Sequence, residues 1–408
     1  MASQHKLCLF ILCAMVSISC QAQNTAHTGT DYLSFAQGMI FVSATSSDPK
    51  LKVSAAQALA SVDGNLGNFS LTPKPGAADT SIAFTYKLPA PTTFTSFRIP
   101  NVLETPSPSQ TFVRQVKIFG STQNADQGFE LIASQVLSVH TQKNQFTDFD
   151  AISPRKVRWI KLELSGGLKI ERDKTYFEFT EIIGHGQQET VPLSEAFTGK
   201  WKGRGVLLDL NQEGAVVSGC YDKTGDLSGT VSGNILKGIG IGRDDGVQSI
   251  FILSVDEQGG IDGVRSTNGA PFRRYVGDIA APGLATACKQ PAPTTLGCGS
   301  TVYGINFDYD SAVIRDSSSQ VIEQLFKGLN QEDSLSIVIE GHTSSEGSNS
   351  YNQLLSERRA QALVDRLVSK GIEKKRISAR GLGEVHPIAD NRDEAGRAIN
   401  RRVKVICN

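Results

Sequence analysis

Three polar side chains in the last third of the sequence stand at a spacing that suits anion recognition. Asn352, Ser356 and Arg359 fall at i, i+4 and i+7, so a helix through them carries all three on one stripe. Leu355, Leu363 and Leu367 make a second stripe, the apolar one that such a helix would bury. A guanidinium at position 359 can grip a carboxylate with two parallel, charge-assisted hydrogen bonds, and an amide at 352 can add neutral ones. Arg401, inside the run Asn400-Arg401-Arg402, offers a second cation. Arg358 and Arg402 read instead as surface groups paired with Glu357 and its neighbours.

No catalytic signature adds a reaction to this binding chemistry, and the one enzyme reading left is a wall-tethered glycoside hydrolase in the middle β block. The sequence holds no G-x-S-x-G, no H-E-x-x-H, no Walker loop and no Cys/His signature of a nucleophile. His342, beside Gly341 at the end of an apolar run, reads as a structural hydrogen-bonding group rather than a general base. The carboxylate pairs Asp308/Asp310 and Asp393/Glu394 sit where a strand end and a polar loop commonly carry acids. Gly238-Ile239-Gly240-Ile241-Gly242 lies inside a strand pattern with no helix after it, so its glycines serve packing and not a nucleotide. The expectation is a non-enzyme with no cofactor and no metal.

Composition agrees with that reading. The chain has 408 residues, with 41 Lys+Arg against 41 Asp+Glu, and 39% of its residues are hydrophobic. At roughly 150 residues per domain this suggests two to three domains, each with its own core. Disorder, collagen-like repeats and a strongly basic nucleic-acid binder are disfavoured, because no net field exists to attract phosphate. Six histidines leave little material for a multi-histidine metal site.

The amino terminus reads as an export signal over residues 1–22. Lys6 precedes an apolar run from Leu7 to Ile18, and Ser19-Cys20-Gln21-Ala22 follows. About twelve mostly apolar residues cannot cross about 30 Å of hydrocarbon, and no later stretch approaches a transmembrane length. Cleavage after Ala22 would give a soluble product; cleavage before Cys20 would leave a lipid anchor. Ser17, where a lipoprotein signal normally has an aliphatic residue, favours the first route. Export also bears on redox state. Cys220, Cys288, Cys298 and Cys407 remain in the mature chain, an even number that implies two disulfides in any of three pairings. Cys298–Cys407 would join the ends of one domain, with Cys220–Cys288 closing the one before it. A zinc site is disfavoured, since no C-x2-C pair exists.

The elements that must position these residues change in character along the chain. The expected fold is multidomain: an all-β N-terminal sandwich (residues 27–186), a second antiparallel β domain (192–281), a linker (282–298) and a C-terminal α+β domain (299–408). Short β-prone runs at 81–87, 94–99, 113–119, 157–164 and 176–183 support the sandwich. Strands every 8 to 12 residues with Gly/Asn/Asp turns predict a meander or small barrel next. From residue 300 the pattern predicts β-α-β-α-β-β. Its first strand alternates at Tyr303, Ile305 and Phe307, and a capping box of Ser350 and Gln353 opens a helix that stops at Gly371.

Two resemblances follow from the motifs. Residues 307–311 (FDYDS), Gly341-His342-Thr343, 351–360 (YNQLLSERRA), 377–383 and 391–403 (NRDEAGRAINRRV) resemble the OmpA-like peptidoglycan-binding domain, in order and spacing over roughly 105 residues. That resemblance implies non-covalent, non-catalytic binding of the diaminopimelate-containing stem peptide of peptidoglycan, in the periplasm or outer membrane of a Gram-negative bacterium. It assigns Asp310, Thr343, Ser344, Asn352, Arg359 and Arg401 to the binding cleft. Where the family usually has Gly-His-Thr-Asp, this chain has Ser344, so the charge that meets the ligand's ammonium must come from Glu346 or Asp310. The N-terminal block resembles the discoidin, or coagulation-factor C-type, domain in residues 60–65 (ASVDGN), Gly120-Ser121, 158–162 (RWIKL) and 179–184. This implies binding of a glycan or an envelope protein through loops at one end. The competing reading is a surface or secreted glycan-binding adhesin that has lost its hold on the wall.

Overall fold

A computed structural model of the chain describes residues 29–66, 69–71, 80–101, 111–138, 145–165, 177–222, 225–281, 283–286, 288, 295–331 and 334–408. The export signal and its two processing routes lie outside these residues, as does part of the linker. No helix among the described residues is long and apolar enough to cross a membrane.

Alternation builds the first part. Ile82, Phe84, Tyr86 and Leu88 point the same way along the strand Ile82–Pro100, and each is at most 1% exposed. That strand is the hub of a seven-stranded sheet. It pairs antiparallel with Ile40–Ser46, Lys156–Ser165, Phe146–Asp150 and Ile183–Gln188, and Gln115–Ser121 and Glu130–Val136 extend the sheet beyond Lys156–Ser165. A smaller sheet of Phe69–Leu71, Phe177–Phe179 and Thr111–Phe112 adds Phe179 to the same core. Trp159 is only half-buried, whereas Phe179 is 2% exposed. The helix α1 (Ala55–Ala60) has six residues, too few to show a period in the sequence.

The next block is an antiparallel meander from Gly199–Gly203 to Ile261–Thr267. It closes on itself through residues 277–279. Gly277 exchanges two backbone hydrogen bonds with Ile261, and Asp278 pairs with Lys202 of the first strand. Trp201, Leu208, Tyr221, Leu227 and Phe251 fill the interior. Gly240 belongs to that packing, because a Cβ there would lie 2.3 Å from the Tyr221 ring. The structure contains the disulfides Cys220–Cys288 and Cys298–Cys407.

The C-terminal domain is a mixed four-stranded sheet in the order Thr301–Val302, Val403–Cys407, Ile337–Gly341, Ile377–Gly381. Its helices are α2 (Ser319–Leu329), α3 (Asn349–Lys370) and α4 (Glu394–Asn400). Val321, Leu325 and Leu329 of α2, and Leu363 and Leu367 of α3, are buried, and α3 stops at Gly371 with φ +126°.

Three details differ from the sequence reading. The first strand covers Thr301–Val302 rather than 303–307, because the following backbone bonds to side chains off the sheet. Tyr303 N donates to Thr230 Oγ1 of the barrel at 3.2 Å, and Asn306 N donates to Ser318 Oγ at 2.7 Å. The order is β-α-β-α-β-α-β, since α4 stands between the last two strands; Asp393 caps it by accepting from Gly396 N at 2.8 Å. The cap of α3 is Ser348, which accepts from Tyr351 N, while the Gln353 amide donates to Gly381 O at 2.7 Å.

The three parts meet. Glu394 N donates to Asp63 O at 2.6 Å, and Arg397 Nη2 donates to Gly64 O at 2.8 Å. Gly64 has φ +73°, and a Cβ on it would lie 2.4 Å from both Glu394 and Arg397. The Asp-Gly turn of the sandwich therefore needs glycine for its fit against α4 as well as for its backbone.

Candidate functional site

The helix α3 lies close against the strand Ile337–Gly341 because Gly341 has no side chain; a Cβ there would be 2.4 Å from Ser356 O. The chain leaving that strand is pinned by His342 N to Arg402 O (3.0 Å) and Thr343 N to Gly383 O (2.9 Å). The loop 342–347 is thereby held beside α3. Asp310, Thr343, Ser344, Glu346, Asn352, Arg359 and Arg401 all line one cleft of about 630 Å³. Ser356 does not. Its hydroxyl accepts from Gly383 N at 2.9 Å and donates to Gln353 O, so it braces a loop, and Leu355 takes its place on the cleft wall.

The two arginines differ in state. Arg359 donates through Nε to Ser311 O at 2.9 Å, and its guanidinium lies 5.0 Å from the centre of the Phe307 ring. No carboxylate pairs with it among the described residues. Burial, and then the nearby Arg401, push its pKa down to about 10, which still leaves it charged at neutral pH. Arg401 is already compensated. It bonds Glu394 and stands 3.4 Å from Glu346, and these acids outweigh its burial and hold its pKa above the usual value.

In the same cleft, the Glu346 carboxylate accepts from Ser344 Oγ at 3.0 Å. A negative charge thus sits one hydrogen bond beyond the position where Ser344 supplies none. Asp310 is exposed and held at φ +51°. The Asn352 amide, 1% exposed, donates to Glu384. Both ring nitrogens of His342 and the Thr343 hydroxyl are buried without a hydrogen-bond partner among the described residues. Burial, and then Arg402, push the His342 pKa down to about 4, so its ring is neutral at pH 7. The sequence reading of His342 as a structural hydrogen-bonding group is therefore corrected, because its ring bonds to nothing described. A cleft with a guanidinium that bonds no carboxylate, a nearby carboxylate and unspent polar groups can hold a zwitterionic head.

The far wall comes from outside this domain. Thr30, Asp31, Glu181 and His185 of the sandwich and Lys237 of the barrel line the same cleft. The sequence reading missed all five. The one local signal was Lys237, a charge between Ile235 and Ile239 on one face of a glycine-rich strand.

Residues 306–401 match the OmpA family, so the C-terminal domain is an OmpA-family domain. The chain is 46% identical over 101 residues to the outer membrane porin F of Pseudomonas aeruginosa, a match covering 24% of this chain and 29% of that protein. The chain thus spans less than a third of that relative's length. The solved peptidoglycan-associated lipoprotein of Burkholderia pseudomallei is similar at 31% identity over 26% of this chain and 88% of that one, with a TM-score of 0.24. CBM32-3 from a family 31 glycoside hydrolase of Clostridium perfringens is similar at 12% identity over 39% of this chain and 95% of that one, with a TM-score of 0.28. The family match places the protein in the cell envelope of Gram-negative bacteria.

Proposed function

We propose that the protein holds peptidoglycan without catalysis, by seating the free amino-acid end of diaminopimelate in the cleft beside α3. The observation that carries this is Arg359, charged and without a carboxylate partner among the described residues, in the same cleft as the Glu346 carboxylate. The ligand's carboxylate goes to Arg359 and its ammonium to Glu346, with Thr343 and Asn352 adding neutral bonds. The sandwich is left to a second partner, a glycan or an envelope protein, as its discoidin resemblance implies.

Full-length protein is expected to sediment with purified sacculi, to be released by free meso-diaminopimelate, and to liberate no soluble muropeptide. Protein that stays in the supernatant would favour the adhesin reading, and soluble fragments would favour a hydrolase. Glu346→Gln is expected to weaken sacculus binding about fivefold, since it trades a charged hydrogen bond for a neutral one. In that background Ser344→Asp should restore affinity. If Glu346→Gln and Asp310→Asn are both silent, the ammonium is not met where this reading puts it.

A further inference from the structure

The barrel strand Ile235–Gly242 runs through the junction of all three parts. Ile235 packs toward the sandwich, where a Cβ on Gly38 would lie 2.4 Å from its Cδ1. Ile239 packs with Tyr303 and Ile399 of the C-terminal domain. Lys237 shares their face between these two contacts and lines the cleft.

The charges facing the cleft can be paired off. Arg401 is matched by Glu394 and Glu346, and Arg315 by Asp308 at 3.1 Å. Arg397 is matched by Glu394 at 3.0 Å. Arg98 is matched by Asp148 at 2.7 Å, and Arg402 donates to the carbonyls of Asn400 and His386. This leaves Arg359 and Lys237 with neither a bonded carboxylate nor that carbonyl pair among the described residues; the acid nearest in effect to Arg359 is the exposed Asp310. Burial, and then the fields of Arg401 and Arg315, lower the Lys237 pKa to about 8, with Glu394 opposing. Two cations without a bonded acid, one from α3 and one from the barrel, call for two anionic groups on one ligand. A single amino-acid end brings one carboxylate, and the cleft of about 630 Å³ is larger than such an end fills.

We infer that Lys237 forms a second carboxylate subsite, so that the cleft reads an acidic peptide by its terminal head at Arg359 and by a further backbone carboxylate at the barrel wall. This rests on the wall-binding reading above and extends it from the diaminopimelate head to the stem peptide behind it.

The test uses the full chain and two probes measured by calorimetry. One is the tripeptide L-Ala-γ-D-Glu-meso-diaminopimelate; the other is the same peptide with both carboxyls outside the free head amidated. Amidation is expected to weaken binding to the wild type about tenfold. Lys237→Met should bind the acidic peptide as weakly as the amide, and Lys237→Arg should keep the preference. Matching thermal midpoints for the lysine variants would show that the junction still forms. The inference is overturned if Lys237→Met retains the wild-type preference for the acidic peptide. It is likewise overturned if the wild type binds both peptides equally while Arg359→Ala abolishes binding of each. If the wild type binds neither peptide, or Arg359→Ala leaves binding intact, the wall-binding reading itself falls.

Discussion

Replacing Arg359 with alanine is expected to lower affinity for sacculi and for stem peptide about a hundredfold. A charged hydrogen bond contributes about 1.5–3 kcal/mol, and a ligand carboxylate left unpaired in the cleft adds a desolvation cost of about 1–3 kcal/mol. Together these correspond to two decades or more in the dissociation constant. Arg359→Lys keeps the charge but loses the planar fork, so about a tenfold loss is expected there. Stability should barely move. The guanidinium gives up one bond to Ser311 O and its place over Phe307, but no ion pair is broken and a buried charge is relieved. Arg401→Ala should behave in the opposite manner, because it takes one of two arginine partners from the buried Glu394, whose pKa Arg401 and Arg397 hold below the usual value against burial. That variant is expected to lower the thermal midpoint more than the affinity. Sedimentation with sacculi and a melt on each variant check both halves. Unchanged binding by Arg359→Ala would remove the central contact of the proposed site.

The contrast between the two arginines was not legible in the sequence. Spacing could put Arg359 on a helix stripe and a motif could place Arg401 nearby, but charge compensation is decided by tertiary contacts with Glu394 and Glu346. The long helix α3 was readable because its leucines recur over 22 residues and Gly371 ends it with a backbone that glycine favours. The seven-residue α4 was hidden inside a motif, being too short to display a period. Tyr303 and Ile305 alternate as a strand would, and both are buried, yet their segment bonds to the barrel instead of the sheet. Alternation reports which side chains are buried and not which backbone they pair with. Ser356 failed for a related reason: a stripe drawn on an isolated helix does not know that Gly383 approaches it. The wall formed by Asp31, Glu181 and Lys237 depends on docking between parts far apart in sequence, and no local pattern encodes that.

That docking carries its own pH dependence, readable through Asp31. Its Oδ1 accepts from Leu33 N and Gly184 N, both at 2.9 Å, but burial outweighs these bonds and raises its pKa to about 7. Glu394 across the junction raises it further, and Arg397 opposes. Glu181 nearby is fully buried, bonds Gly64 N at 2.6 Å through Oε1, and leaves Oε2 without a hydrogen-bond partner among the described residues. Burial, and then Asp31 and Asp63, raise the Glu181 pKa well above the usual carboxyl value; burial raises Asp63 to about 6. Each of these acids binds its proton more tightly in the folded chain than in the unfolded one. Their contribution to stability is therefore fully present below about pH 4 and is lost as pH rises through 6 to 7. Asp31→Asn keeps an oxygen for both backbone donors and removes the charge. At pH 5, where wild-type Asp31 is already protonated in the fold, the variant should gain only a fraction of its full effect. At pH 8 it should exceed the wild type by about 2 kcal/mol, a value below the full linkage for such a shift because Asp31 keeps some contact with water. The measurement is the difference in thermal midpoint between the two proteins from pH 5 to pH 8. A difference that stays flat, or shrinks toward alkaline pH, would mean that Asp31 is ionised at no cost and that the junction is held by its backbone bonds alone.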